Sequence, residues 1–169
     1  MIISWLTAFN TGVYILNNIY FYQTSIGEIG IAEKNGNITN LYFANEQAPR
    51  DKNIFETDTL KTAARQLQEY LAGKLKRFNL PLTFDGTDFM LRVWKSLLNI
   101  PYGETRSYRE IAHSVGNIRA SRAVGHACSR NPIPIIIPCH RVIGSNGRLT
   151  GFGGGLDVKA YLLELERKG

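Results

Sequence analysis

The hydrophobic pattern of the chain changes near residue 86, and this change limits the folds that the sequence can adopt. Residues 19–43 are typical of antiparallel strands, because the hairpin signal Asn35-Gly36 separates two runs of β-branched and aromatic residues. Beyond residue 86, apolar residues recur every three or four positions, as in helices. The sequence therefore predicts a first α/β domain over residues 19–85 and a second, mostly helical domain over residues 86–169.

The first domain is predicted to contain one helix after its strands. Thr57 or Asp58 can cap this helix, and Gly73 ends it. The preceding residues 44–57 are predicted to form a polar loop. Residues 1–18 are predicted to be an extension without a defined fold. They carry no charge, but their asparagines and glycine exclude a membrane helix of about 20 residues.

Residues 107–130 have the pattern of a helix-turn-helix. Ser107 and Glu110 form a capping box at the start of a helix that reaches Val115, and Gly116 follows it. A second helix is predicted from about residue 120 to residue 130. Its buried stripe is Ala120, Ala123, Val124, Ala127 and Cys128, and its other face carries Arg119, Arg122, His126 and Ser129. The pattern fits a DNA-binding motif, although helix pairs in ordinary cores look similar.

Positive charge is concentrated in the same region. The chain has a net charge of +6. Between Glu104 and Arg148 there are seven arginines, no lysine and only two acidic residues. Arginine is well suited to phosphate groups and base edges, so this excess indicates a polyanionic partner. A solvated basic face that binds nothing remains an alternative.

The run Ile135-Ile136-Ile137-Pro138-Cys139-His140-Arg141-Val142 contains the best nucleophile candidate. Cationic neighbours lower the pKa of a cysteine, so Cys139 can be held as a thiolate here, but the sequence does not decide its protonation state. The segment 133–138 contains two prolines and is predicted to be extended and buried. Side chains alternate along an extended chain, so contact between Cys139 and His140 would need a turn or a bridging water. Cys128 is interpreted as a small buried hydrophobe.

A carboxylate on the apolar face of the last helix also needs a partner. Glu166 lies on the same face as Leu162 and Leu163, and burying it unpaired would be expensive. One alternative is a relay in which Glu166 orients His140 and a water carries the thiol proton of Cys139. The other is an ordinary salt bridge with Arg141. The two cysteines and three scattered histidines do not form the pattern of a structural zinc site. The small number of cysteines fits a reduced, cytoplasmic compartment.

The signature Pro138-Cys139-His140-Arg141-Val142 resembles that of the O6-alkylguanine-DNA alkyltransferases, also called methylated-DNA–protein-cysteine methyltransferases. It is preceded by Asn131-Pro132 and followed by Gly154-Gly155-Leu156, and the resemblance extends from about Ile19 to the end. The resemblance implies an N-terminal RNase H-like α/β domain with antiparallel strands and a C-terminal helical domain with a helix-turn-helix. It also implies single-turnover transfer of an alkyl group from O6-alkylguanine to Cys139, with O4-alkylthymine as a further candidate substrate.

The resemblance assigns roles to individual residues. Cys139 would accept the alkyl group, His140 would take the thiol proton, and Glu166 would hold His140. Tyr108 would donate a hydrogen bond to the guanine, and Asn131 would brace the turn beside Cys139. Arg122 would fill the gap left by a flipped base. Further DNA contacts are expected at Ser121, Arg119, Ser129 and Arg130, and the base pocket is expected to include Val142, Gly153 and Gly154.

The implied protein is a cytoplasmic monomer that acts on double-stranded DNA without a metal or other cofactor and without a membrane. Two rivals remain. One rival is a non-catalytic lesion binder of the alkyltransferase-like type, which typically carries tryptophan at the position of Cys139. The cysteine in this chain argues against that rival. A thiol hydrolase using Cys139, His140 and Glu166 would instead turn over repeatedly on a small substrate.

Overall fold

A four-stranded sheet forms the first half of the computed structural model, which describes residues 17–49 and 52–169. The strand order is β3-β2-β1-β4, and only β4 runs parallel to its neighbour. The strands are β1 (Asn17–Thr24), β2 (Gly27–Lys34), β3 (Asn37–Phe43) and β4 (Asn53–Ile54). The hairpin predicted at Asn35-Gly36 is confirmed, since both residues have the positive φ that a tight turn requires, 52° and 78°.

Two details of the sheet differ from the prediction. The first strand begins at Asn17, inside the expected extension, because the buried amide of Asn18 donates a 2.7 Å hydrogen bond to Glu33 Oε1. The predicted loop 44–57 contains the short strand β4 beside β1. The rest of the expected extension, residues 1–16, lies outside the described residues.

Helix α1 (Asp58–Leu71) packs on the sheet and has the predicted ends. The side chain of Thr57 accepts a hydrogen bond from the Leu60 amide, and Gly73 takes a φ of 71° just beyond the helix. The predicted apolar stripe is buried. Tyr70, near the end of the helix, is also fully buried, and its hydroxyl points away from the sheet toward the second half of the chain.

The second half is built from four helices in the described residues: α2 (Asp88–Leu97), α3 (Tyr108–Ser114), α4 (Ser121–Ser129) and α5 (Leu156–Lys168). Both hydrogen bonds of the capping box between Ser107 and Glu110 are present, so the predicted start of α3 is confirmed. Helices α3 and α4 pack together as the predicted pair. Ala123 departs from the predicted buried stripe of α4, because it faces solvent.

The segment 133–138 is buried as predicted, but the prediction that it is extended is wrong. The Ile137 amide donates to the Ile133 carbonyl at 2.8 Å, which closes a tight turn. Ile135 lies at a φ of 74°, a strained value for a β-branched residue. A 3₁₀ turn over Cys139–Arg141 follows directly, so Cys139 and His140 do not alternate as in a strand.

A short parallel pair joins this turn to the helix-turn-helix. Strand β5 (Arg106–Ser107) leads into α3, and its partner β6 (Val142–Ile143) leaves the 3₁₀ turn. This pairing fixes the N-terminus of α3 beside Cys139. None of the helices in residues 17–49 and 52–169 has the length and the apolar run needed to cross a membrane.

Candidate active site

A cavity of about 580 Å³ lies between α4, the start of α3 and the loop before α5. It has a mostly apolar wall and opens to solvent. Its lining residues are Tyr108, Ser121, Arg122, Gly125, Cys128, Ser129, Cys139, Thr150, Gly151, Phe152 and Gly153. We refer to it as the Cys139 cavity. It brings together six of the predicted site residues, from four separate segments of the chain.

The remaining predicted site residues lie elsewhere. Arg119 and Arg130 are exposed on either side of α4, away from the cavity lining. Val142 is fully buried, and its carbonyl accepts a 2.7 Å hydrogen bond from the Lys159 ammonium. Gly154 packs against the Phe43 ring, where an added Cβ would lie 2.7 Å from the nearest ring carbon. Val142 and Gly154 therefore support the cavity from behind and do not line it.

The thiol of Cys139 is buried and protonated, which decides the protonation state that the sequence left open. Burial raises its pKa to about 11, although hydrogen bonding to Asn131 and the charge of Lys159 act in the opposite direction. The guanidinium of Arg141, which the sequence places nearby, is directed instead at Glu166 and the Ile100 carbonyl. The neighbouring cations thus do not ionise the resting thiol, and a base has to remove its proton during a reaction.

His140 follows Cys139 in the same 3₁₀ turn and has a titratable ring. Its Nε2 lies 2.8 Å from Glu166 Oε1, and the imidazole is completely buried. Because an ionised carboxylate can only accept hydrogen bonds, Nε2 must carry the proton and Nδ1 must be the free acceptor. Nδ1 has no hydrogen-bond partner among the described residues. Burial lowers the pKa of His140 and outweighs the opposing effect of Glu166, so the imidazole is neutral and able to take up a proton.

Glu166 pairs with both His140 and Arg141, the two alternative partners that the sequence indicated. Arg141 donates to its two oxygens at 2.9 Å each, while His140 contacts Oε1. The Gly103 amide donates to Oε2 at 3.1 Å, and the Tyr70 hydroxyl donates to Oε1 at 2.5 Å. We call these five residues the Glu166 cluster. Burial alone would raise the pKa of Glu166, but the hydrogen bonds from His140, Arg141 and Tyr70 hold it well below its usual range.

Asn131 holds the turn that carries Cys139. Its side-chain amide donates to the Ile137 carbonyl at 2.8 Å, and its Oδ1 accepts from the Ile133 amide at 3.1 Å. These two bonds tie together the ends of the tight turn around Ile135. Asn131 therefore occupies the bracing position predicted for it, and it also stabilises the ionised form of the neighbouring thiol.

On the opposite wall, Tyr108 presents its hydroxyl to the cavity. The Thr150 hydroxyl donates to it at 2.9 Å, which leaves the phenolic hydrogen available for a ligand. Burial raises the pKa of Tyr108, so the phenol stays protonated. Cys128, expected to be a simple core residue, is partly buried and also lines the cavity.

Two buried polar side chains that contact the site were missed in the sequence. Lys159 is completely buried and donates to the carbonyls of Val142 and Thr150, so it ties the last helix to the cavity loop. It lies on the same face of α5 as Leu162 and Glu166, and this charged residue on an apolar stripe was the available signal. Tyr70 lies on the apolar stripe of α1, where it reads as an ordinary core residue.

Metal ligands are not grouped in the described part of the chain, because no three residues of the types His, Cys, Asp and Glu lie close enough to hold an ion. The histidine and carboxylate of the Glu166 cluster are each engaged with protein groups.

Comparison with known proteins identifies the class to which this fold and site belong. Residues 19–84 match the family described as 6-O-methylguanine DNA methyltransferase, ribonuclease-like domain. Residues 88–168 match 6-O-methylguanine DNA methyltransferase, DNA binding domain. These matches confirm the predicted fold class, an RNase H-like α/β part followed by a helical part with a helix-turn-helix.

Individual relatives agree with this class. The methylated-DNA–protein-cysteine methyltransferase of Methanosarcina barkeri is 63% identical over 106 residues, which cover 63% of this chain and 67% of the relative. The constitutive enzyme of that name from Bacillus subtilis is 47% identical over 152 residues, or 86% of this chain and 92% of the relative. The crystal structure of Mycobacterium tuberculosis OGT in complex with DNA matches with a TM-score of 0.85 and 46% identity, covering 89% of this chain and 93% of that one. This chain belongs to the 6-O-methylguanine DNA methyltransferase family.

Proposed function

We propose that this protein repairs DNA by direct reversal, transferring the alkyl group of O6-alkylguanine to Cys139 in a single turnover. The observation that carries the proposal is the arrangement around Cys139. The Cys139 thiol lies on the wall of an open cavity, and the next residue of the same 3₁₀ turn is His140. The Nε2 atom of His140 is hydrogen-bonded to the buried carboxylate of Glu166. The names of the relatives, and the DNA in the related crystal structure, support the same activity.

In the proposed reaction, the sulfur–carbon bond forms as the oxygen–carbon bond of the lesion breaks. The thiol proton passes to Nδ1 of His140, through a water if the distance requires one, and Glu166 stabilises the imidazolium. Tyr108 donates a proton to the departing guanine, and the resulting phenolate regains a proton from the His140 imidazolium through solvent, so the complete reaction leaves no net charge in the site. The product is a thioether, which no group in the site can hydrolyse, and the protein is therefore consumed.

The cavity can receive a base only after the base has left the stack. Extrusion of a damaged base costs a few kcal/mol, which contacts with the duplex must offset. Arg122 is exposed at the cavity lining on α4 and is the side chain that we assign to the vacated position. The other groups assigned to DNA are Ser121, Arg119, Ser129 and Arg130, all on or beside α4.

Several broader assignments belong to the same proposal. We divide the chain into an α/β domain over residues 19–85 and an alkyltransferase domain over residues 86–169, and the bounds of the two family matches support this division. We assign the protein to the cytoplasm, because a free nucleophilic thiol is best preserved in reducing surroundings. We also assign it as a monomer.

The test is the intact mass of the protein after incubation with an oligonucleotide containing O6-methylguanine. We expect each chain to gain one methyl group, and Cys139→Ser to gain none. Cys128→Ser is the matched control, because it alters the other thiol of the same cavity and should still be methylated. An unchanged mass of the wild-type protein would contradict the proposal, and repeated turnover without a mass change would favour the thiol hydrolase.

A further inference from the structure

The hydroxyl of Tyr70 joins the two halves of the chain at the Glu166 cluster. Tyr70 lies on α1, whereas His140, Arg141 and Glu166 belong to the helical half. The hydroxyl donates to Glu166 Oε1 at 2.5 Å and lies 3.2 Å from His140 Nε2. A phenol so close to both members of the His–Glu pair can influence the direction in which each of them points.

The direction of this hydrogen bond follows from the protonation states around it. Glu166 is ionised and can only accept, and His140 Nε2 already carries the hydrogen that it donates to Glu166. The Tyr70 hydroxyl must therefore donate to the carboxylate, and its oxygen faces the Nε2–H group. Burial and the charge of Glu166 both raise the pKa of Tyr70, so the phenol is a hydrogen-bond donor near neutral pH.

The ring of Tyr70 is held by packing. It is fully buried, with a tilted contact to Phe78 at 5.2 Å between ring centres and an edge contact to Tyr102 at 6.1 Å. The hydroxyl thus has a fixed position relative to α1. Oε1 of Glu166 accepts three hydrogen bonds, of which those from His140 and Arg141 come from adjacent residues of one turn. Only the bond from Tyr70 comes from the other half of the chain.

We propose that Tyr70 is a positioning residue for the alkyl transfer: from the α/β half of the chain, its hydroxyl fixes the Glu166 carboxylate and thereby the Nε2–H form and orientation of His140. This inference rests on the proposed function of Cys139. It makes the α/β half part of the proton relay, in addition to its role as a folding partner. Tyr70 acts through Glu166 and His140 and does not line the Cys139 cavity.

The direct test is Tyr70→Phe, which keeps the ring and removes the hydroxyl. We expect the maximal single-turnover rate of methyl transfer to fall roughly tenfold, the factor that corresponds to one hydrogen bond to a charged group. The affinity for lesion-containing duplex should not change, because Tyr70 lies away from α4. Tyr22→Phe is the matched control, since it removes another buried hydroxyl from the α/β half and should leave the rate unchanged.

A second readout separates positioning from a loss of stability. In the wild-type protein, nitrogen–proton correlation spectra of His140 should show a neutral ring protonated at Nε2 only. The Tyr70 hydroxyl proton should exchange slowly and show a nuclear Overhauser effect to that Nε2 proton. In Tyr70→Phe, the His140 signal should broaden or divide between tautomers, and the pH dependence of iodoacetamide reaction at Cys139 should change.

Two results would overturn the inference. One is a Tyr70→Phe protein that unfolds more easily but keeps the wild-type transfer rate and His140 spectrum. The other is a wild-type Tyr70 hydroxyl proton that exchanges rapidly and shows no contact with His140, which can be observed even if the variant does not fold. The spectra and the iodoacetamide reaction need no alkylated guanine. If the wild-type protein failed to gain a methyl group, these two measurements would still decide whether Tyr70 positions His140.

Discussion

The two sides of the Cys139–Arg141 turn are built in opposite ways. On one side, the Cys139 cavity is open and largely apolar, and the side chains of Tyr108 and Arg122 are among the polar groups of its lining. On the other side, the side chain of Glu166 is fully buried, and its carboxylate accepts five hydrogen bonds from the described residues. The cavity has room for a substrate, whereas the side chains of the Glu166 cluster are held in place by their hydrogen bonds to the carboxylate. Substitutions on the two sides should accordingly affect different properties.

Glu166→Gln should have the largest effect on stability. The substitution preserves the shape of the side chain but leaves the buried guanidinium of Arg141 without its counter-charge, and it turns an amide toward the Gly103 N–H and Arg141 Nε. Removing one partner of a buried ion pair typically lowers the free energy of unfolding by about 3–5 kcal/mol. Urea denaturation followed by circular dichroism would measure the loss.

The control for this prediction is Glu164→Gln on the same helix. The side chain of Glu164 is 44% exposed, and its partners Arg167 and Lys168 are also at the surface. Its removal should hardly move the denaturation midpoint, because exposed ion pairs contribute little. Equal losses in the two variants would mean that the Glu166 cluster does not differ from a surface ion pair.

Acidification should weaken the fold through the Glu166 cluster in two stages. His140 has a lowered pKa in the folded state, so below its ordinary pKa of 6.5 its imidazole binds a proton in the unfolded chain but not in the folded chain. Acidification in this range therefore favours the unfolded state. Glu166 also has a lowered pKa, and its contribution is full above its ordinary value of 4.5 and is lost as the pH falls toward the folded value. The free energy of unfolding should thus decline from about pH 6.5 and more steeply below about pH 4.5.

Denaturation midpoints measured between pH 8 and pH 3 would test this dependence. Glu166→Gln should lack the lower stage, and His140→Asn should lack the upper one. A wild-type stability that rises on acidification would contradict the assigned protonation states, because both lowered pKa values require the opposite sign.

Arg122→Ala, on the cavity side, should change the reaction and not the fold. We expect the transfer rate on duplex DNA to fall roughly tenfold, equivalent to about 1.4 kcal/mol, while reaction with the free alkylated base is retained. The matched control is Arg65→Ala, which removes an exposed arginine from α1 in the other half of the chain, away from the groups assigned to DNA. Single-turnover rates on both substrates would provide the comparison, and equal loss on both would exclude Arg122 from the vacated base position.

Much of the fold could be predicted because local signals decide it. The turn at Asn35-Gly36, the capping box at Ser107 and the cap at Thr57 depend on residues within four positions of one another. The segment 133–138 could not be predicted in the same way. Its β-branched residues favour an extended chain, but the side chain of Asn131 binds both ends and forces Ile135 to a positive φ.

The site was predictable as a set of residues but not as a set of protonation states. The order Cys139-His140-Arg141 suggests a cation beside the thiol. The sequence left open whether His140 or Arg141 pairs with Glu166, and only the folded chain shows that both do. Tyr70 is separated from Glu166 by 96 residues, so no local pattern could connect them. Burial, which raises the pKa of Cys139, is likewise a property of the whole fold.

The raised pKa of Cys139 has a consequence for the lifetime of the unused protein. A permanent thiolate would react with any small electrophile or oxidant that diffuses into the cavity, and a thiol that can be alkylated only once would then be wasted. At a pKa of about 11, the resting thiol is almost entirely neutral near pH 7 and is a weak nucleophile. The neutral state of the resting thiol thus protects Cys139 from chance alkylation before any substrate is bound, and this protection contributes to its selectivity for the lesion.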